Sequence, residues 1–98
     1  MPSADVQPIG LVDRALELAP RVALRPEPFG ALAYHYGTRR LVFLKDRQLV
    51  RVVEALGSQP SLGAAFDACD VGDRRRQAFT RAIAGLIESE MVRERADH

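Results

Sequence analysis

The chain has 98 residues, is 47% hydrophobic, carries a formal net charge of +1 and holds a single cysteine, Cys69. That length suits one domain with a modest core, and so small a charge is far from what a protein held to nucleic acid by phosphate contacts carries. One cysteine excludes an intramolecular disulfide, His35 and His98 alone cannot build a His/Cys metal cluster, and no apolar run approaches the ~20 residues that cross a bilayer.

The N-terminus lacks a basic stretch followed by an apolar core, so a cytoplasmic protein is expected. Charge is graded along the chain. Residues 1–20 hold one base and three acids, residues 21–60 seven bases and three acids, and residues 61–98 six bases and seven acids. The basic middle suits an acidic partner. Residues 1–8 show no periodicity and read as a tail. Val12, Ala15, Leu16 and Ala19 then predict a short helix over residues 9–19, stopped by Pro20.

From Arg21 the period becomes two. Val22 and Leu24 alternate with Arg21 and Arg25, which marks a first strand. Pro26, Pro28 and Gly30 impose a bend, because proline has no ladder amide. A second strand runs over residues 31–36, with Leu32, Tyr34 and Tyr36 on one face and Ala33 and His35 on the other. Residues 37–39 make a hairpin connection, and residues 40–44 are a third strand. Only Lys45 and Asp46 separate its apolar run from a helix over residues 46–56, where Leu49, Val52, Val53 and Leu56 share one face and Asp46 can cap. Gly57 ends that helix. Ser61 caps a second, with Leu62, Ala65, Phe66 and Cys69 on its apolar face, so Cys69 reads as a buried, inert thiol. Gly72 and Asp73 lead into a third helix over residues 74–92. Three strands in an antiparallel meander followed by three helices is an α+β fold.

The third helix carries two adjacent stripes. Phe79, Ile83, Leu86 and Ile87 form a bulky face for the core. Ala78, Ala82, Gly85 and Ser89 form a small-residue face, which either packs closely on the protein's own elements or walls a groove that another backbone enters. Arg74, Arg75 and Arg76 crowd the first turn, where the helix dipole disfavours positive charge by a few tenths of a kcal/mol each. They read as a solvated turn balanced by Asp70 and Asp73, or as a docking patch for acidic residues. Arg39 and Arg40 at the hairpin carry the same two readings. His35 reads as a surface or half-buried strand residue. The serines have turn, cap or helix explanations, and the glycines never cluster as a phosphate cradle. No catalytic group, metal or cofactor is expected.

Several stretches together resemble a known family. Arg21-Val22-Ala23-Leu24-Arg25-Pro26, the strand ending Leu41-Val42-Phe43-Leu44, the Leu-rich first helix, Ser61-Leu62 opening the second, and Met91-Val92 closing the third are similar to the PqqD-like peptide chaperones. These are RiPP recognition elements, small winged-helix-like domains. Residues 25–32 and Tyr34-His35-Tyr36-Gly37 resemble the mycofactocin branch of that family in particular. The resemblance implies a peptide-binding winged-helix-like domain over residues 21–92, with a tail and short helix over 1–20 before it and a tail over 93–98 after it. It also implies a function. A precursor peptide's leader would add as an antiparallel strand to Arg40, Leu41, Val42, Phe43 and Leu44 and lie against Ala78, Ala82, Gly85 and Ser89 of the third helix. The chaperone would present it to a radical S-adenosylmethionine maturase, whose iron–sulfur chemistry this chain has no cysteines to supply. Residues 9–19 extend beyond the minimal domain and could cover the groove or mediate self-association.

Two other classes compete. A winged-helix transcription regulator would place Arg74-Arg75-Arg76-Gln77 in a major groove. Against it, wing strands usually follow the recognition helix, and here little chain remains after it. A structural subunit that binds an enzyme but no peptide is the third. Peptide chaperoning accounts for most, with a precursor leader and a maturase as partners, and neither nucleic acid nor a membrane among them.

Overall fold

In the computed structural model, which describes residues 10–95, the chain opens with a 3-10 turn at Leu11–Asp13 and a strand β1 at Leu16–Leu18. The helix expected over residues 9–19 is therefore absent from Gly10 onward, and Ile9 lies outside the described residues. The helical spacing there is real, but a partner from the far end of the chain overrides it. β1 pairs antiparallel with β5 (Val92–Glu94), placing Leu16 opposite Glu94, Glu17 opposite Arg93 and Leu18 opposite Val92. Ion pairs Arg93–Glu17 and Arg14–Glu94, both 2.6 Å, cross this ribbon, and Leu16 and Val92 are buried beneath it. Residues 93–94, expected to begin a tail, are thus part of a sheet. Arg95 goes further. Its guanidinium donates to the carbonyls of Leu56, Gly57 and Gln59 at 2.9, 3.0 and 2.8 Å, satisfying acceptors left at a helix end.

The meander forms as its period predicts: β2 (Val22–Glu27), β3 (Gly30–His35) and β4 (Leu41–Leu44), in the order β2-β3-β4. Pro28 and Phe29 make a two-residue turn. Gly30 then takes φ 147°, and a Cβ there would lie 2.1 Å from the Leu44 carbonyl oxygen. Only glycine lets β4 pass so close. In the longer β3–β4 connection, His35 Nδ1 accepts the amides of Gly37 and Thr38 at 2.9 and 3.0 Å. The half-buried His35 thus builds the hairpin through its Nδ1.

Three helices follow. Asp46 caps α1 (Arg47–Ala55) by accepting from the Gln48 and Leu49 amides, and Ser61 caps α2 (Leu62–Ala68) by accepting from Ala64. α3 covers Asp73–Glu88, stopping short of the expected residue 92. Both α2 and α3 end in the same way. Asp70 and Glu90 adopt left-handed φ values of 57° and 66°, and the next residues, Val71 and Met91, donate back to Phe66 and Leu86 at 3.0 and 2.8 Å. This is the Schellman ending, with its following residue apolar and buried.

The core gathers Val52 and Val53 of α1 with Leu56 just after it, Leu62 and Phe66 of α2, and Ile83 and Leu86 of α3 against the sheet. On β3 the inward residues are only Ala31 and Ala33, both buried, so α1 comes close to the sheet. We expect Gly30→Ala to cost ~1–3 kcal/mol through the forced shift of β4, lowering the thermal midpoint by about 5 °C or more. An unchanged midpoint in a melting experiment would contradict the close approach.

Candidate functional site

The candidate site lies along the exposed edge of β4. Two independent hydrogen bonds fix which of its main-chain groups are open. His35 N–H donates to the Arg40 carbonyl at 3.0 Å, and Tyr36 N–H donates to Arg21 at 2.8 Å. Odd-numbered residues of β3 therefore pair with β4, and even-numbered ones with β2. Given the register Ala33 opposite Val42 and Ala31 opposite Leu44, Val42 and Leu44 spend their amides and carbonyls on β3. Those of Leu41 and Phe43 point away from the sheet. The side chains alternate as well: Leu44 is buried and Val42 half-buried, whereas Leu41 and Phe43 are 56% and 59% exposed. Arg40 and Lys45, both exposed, bracket this edge with positive charge, a common guard against unwanted strand pairing.

The far end of β4 is anchored by a polar junction. Asp46 follows Lys45, caps α1, and pairs with the Arg75 guanidinium from the first turn of α3. Arg75 also donates to Gln48 Oε1 at 2.7 Å and lies over the Phe79 ring, 4.7 Å from its centre. Gln48 Nε2 in turn donates to the Cys69 and Asp70 carbonyls at the end of α2, both at 3.1 Å. Three helix ends are thus tied to the residue that leaves β4. Burial pushes the Asp46 carboxyl up, but the Leu49 amide, Arg75 and the Gln48 amide outweigh it and hold the group below the ordinary carboxylate value.

Comparison with known proteins gives the family of the chain. The family model of the peptide chaperone MftB family matches residues 15–93. The chain belongs to this family. It is 44% identical over 80 residues to the peptide chaperone MftB of Mycolicibacterium smegmatis, covering 82% of this chain and 78% of that protein. The identity to the peptide chaperone MftB of Mycobacterium tuberculosis is also 44% over 80 residues, covering 82% and 73% of the two chains. No solved structure matches. The match to the MftB family includes β1 and most of β5, so the ribbon joining the chain's ends lies within the family's shared region.

Of the other residues singled out in this MftB-family chain, Ala78 and Gly85 are exposed on α3 and Ala82 and Ser89 are half-buried. A Cβ at Gly85 would meet nothing within 4 Å, so this part of the stripe faces open space. Ser89 is the C-cap residue of α3. The arginine triplet divides. Arg74 is exposed. Arg75 serves the junction just described, and Arg76 pairs with Asp67 at 2.7 Å, donates to the Val71 carbonyl at 2.9 Å and lies over the Phe66 ring. Two of the three are therefore held by contacts within the chain, and their counter-charges are Asp46 and Asp67, not Asp70 and Asp73. Arg39 and Arg40 are exposed at the hairpin, Arg39 with a left-handed φ of 66°. Cys69 is half-buried, against the expected full burial. Burial pushes its thiol up, away from the reactive thiolate. Among the described residues no group of three or more His, Cys, Asp or Glu could hold a metal ion, and no helix is long and apolar enough to cross a membrane.

The junction has a testable pH signature. Because its folded value is depressed, ionised Asp46 stabilises the fold at pH above its unfolded value of about 3.9, and that contribution is lost as pH falls through the folded value. Asp46→Ala should cost about 1–2 kcal/mol at neutral pH, and urea titrations should show the penalty shrinking toward about pH 2. A penalty equal at both pH values would mean that the carboxylate charge plays no part.

Proposed function

We propose that this chain is a peptide chaperone of mycofactocin biosynthesis, binding the leader of a ribosomally made precursor by strand addition at β4. The single observation that supports this most is the pair of unspent main-chain positions, Leu41 and Phe43, on an exposed edge strand. A peptide running antiparallel to β4 would meet two amides and two carbonyls there, which supply affinity, while its alternate side chains supply specificity. Leaving β4, the peptide would reach the small face of α3, where Ala78, Ala82, Gly85 and Ser89 leave room for its backbone. The bound precursor would then be handed to a radical S-adenosylmethionine maturase, which carries the chemistry; the chaperone is no enzyme. Exposed Arg39, Arg40 and Arg74 lie available to acidic residues of the peptide or the maturase.

The DNA-binding alternative loses support from the same geometry. A recognition helix needs its first-turn arginines free for bases and phosphates, and Arg75 and Arg76 are engaged with Asp46 and Asp67.

Calorimetric titration with a series of singly N-methylated leader peptides tests the proposal. Methylation should weaken binding at alternate residues, by roughly tenfold where an amide faces Leu41 or Phe43. Uniform tolerance would sink strand addition. In the same titration Gly85→Leu should abolish binding while keeping or slightly raising stability, since a helical glycine costs about 1 kcal/mol. Undiminished affinity of that variant would remove α3 from the site.

A further inference from the structure

The outer face of the sheet inverts the usual pattern. On β3 the buried side carries alanines, Ala31 and Ala33, while the side toward solvent carries Leu32 and Tyr34, with Tyr36 just beyond. The neighbouring strands continue it: Leu32 lies opposite Phe43 and Tyr34 opposite Leu41 on β4. Phe29, from the β2–β3 turn, meets Phe43 edge-on with ring centres 5.7 Å apart, and Tyr34 meets Tyr36 likewise at 5.0 Å. Phe29, Tyr36, Leu41 and Phe43 are 43%, 60%, 56% and 59% exposed. Among the described residues only Val12 is another large apolar side chain exposed to this degree. Ala23, Arg25, Leu32, Tyr34, Tyr36 and Leu41 line a depression of about 420 Å³ on this face. Nothing among the described residues covers it, and aromatic residues gathered at a surface mark docking sites.

Charge identifies the occupant. Residues 21–45, which make the whole meander, hold Arg21, Arg25, Arg39, Arg40 and Lys45 but one acid, Glu27, and Glu27 is paired with Arg25 at 2.9 Å. A second copy docked through its own meander would bring two segments of net positive charge together. A partner with apolar side chains bordered by carboxylates would complement it.

We propose that the outer sheet face is a docking surface for a folded protein of that character, and, resting on the function proposed above, that this protein is the enzyme that modifies the bound peptide. The geometry then adds a consequence. A strand added at β4 continues the sheet, so alternate peptide side chains join the same outer face beside Leu41 and Phe43. An enzyme seated there touches chaperone and peptide together, and the complex with peptide binds it more tightly than the chaperone alone.

Two variants test this without touching the β4 main chain: Tyr36→Glu and Arg25→Glu. Their peptide affinity should stay within about twofold, while affinity for the purified maturase should fall by about tenfold or more when they are combined. Added salt should weaken the wild-type complex and affect the combined variant less. Unchanged maturase affinity would overturn the proposal. So would sedimentation showing a wild-type dimer that the variants dissociate while maturase binding persists, since the occupant would then be a second copy. The maturase titration is run with and without peptide, so a chain that binds maturase through this face but binds no peptide would refute the proposed function and leave the docking surface standing. Equal maturase affinity with and without bound peptide would overturn the composite surface.

Discussion

The two residues between β4 and α1 are the constraint on which the rest depends. Lys45 and Asp46 leave no slack between the meander's last strand and the first helix, so the edge of the sheet and the helical layer cannot move independently. Asp46 does two jobs at once, accepting the first amides of α1 and pairing with Arg75 of α3. Arg75 reaches Gln48, and Gln48 reaches the end of α2. Although each such contact at a partly exposed site is worth little alone, together they fix the start of α3 relative to β4. The binding mode proposed here, with a peptide between a strand edge and a helix, needs that relation held constant before the peptide arrives.

The arrangement separates tasks by direction. Main-chain groups at Leu41 and Phe43 point in the plane of the sheet, outward from its edge. Side chains of the same two residues point perpendicular to it, into the aromatic outer face. In the proposed mode one strand would therefore offer hydrogen bonds to the peptide and apolar area to the enzyme without competition between them. The small inward residues Ala31 and Ala33 make this possible, since the core needs little bulk from β3 and its large side chains are left for the surface.

Much of this was legible in local patterns. The meander, the α1 face of Leu49, Val52, Val53 and Leu56, and the Asp46 and Ser61 caps all follow from period and cap chemistry within a dozen residues. What escaped was long-range. β1 and β5 are each three residues long, and neither pattern outweighs the helical spacing of residues 12–19 unless the pairing across 70-odd residues of chain is known. The end of α3 was hidden for another reason: Glu90, not glycine, takes the left-handed position, at a conformational cost of ~1–2 kcal/mol offset by burial of Met91 and Val92 behind it. From sequence the arginine triplet looks like surface charge because its partners Asp46 and Asp67 stand in other elements. The alternation of Leu32, Tyr34 and Tyr36 was visible in the sequence, but which face would look outward was decided by packing against α1.

The most direct test is residue-resolved amide hydrogen exchange on β4, free and with leader peptide bound. In the free chain the Leu41 and Phe43 amides face solvent and should exchange rapidly, while those of Val42 and Leu44 are held by β3. Strand addition predicts that peptide slows Leu41 and Phe43 strongly and leaves Val42 and Leu44 nearly unchanged. Protection that appears equally at all four residues, or nowhere along β4 despite saturating peptide, would contradict the account.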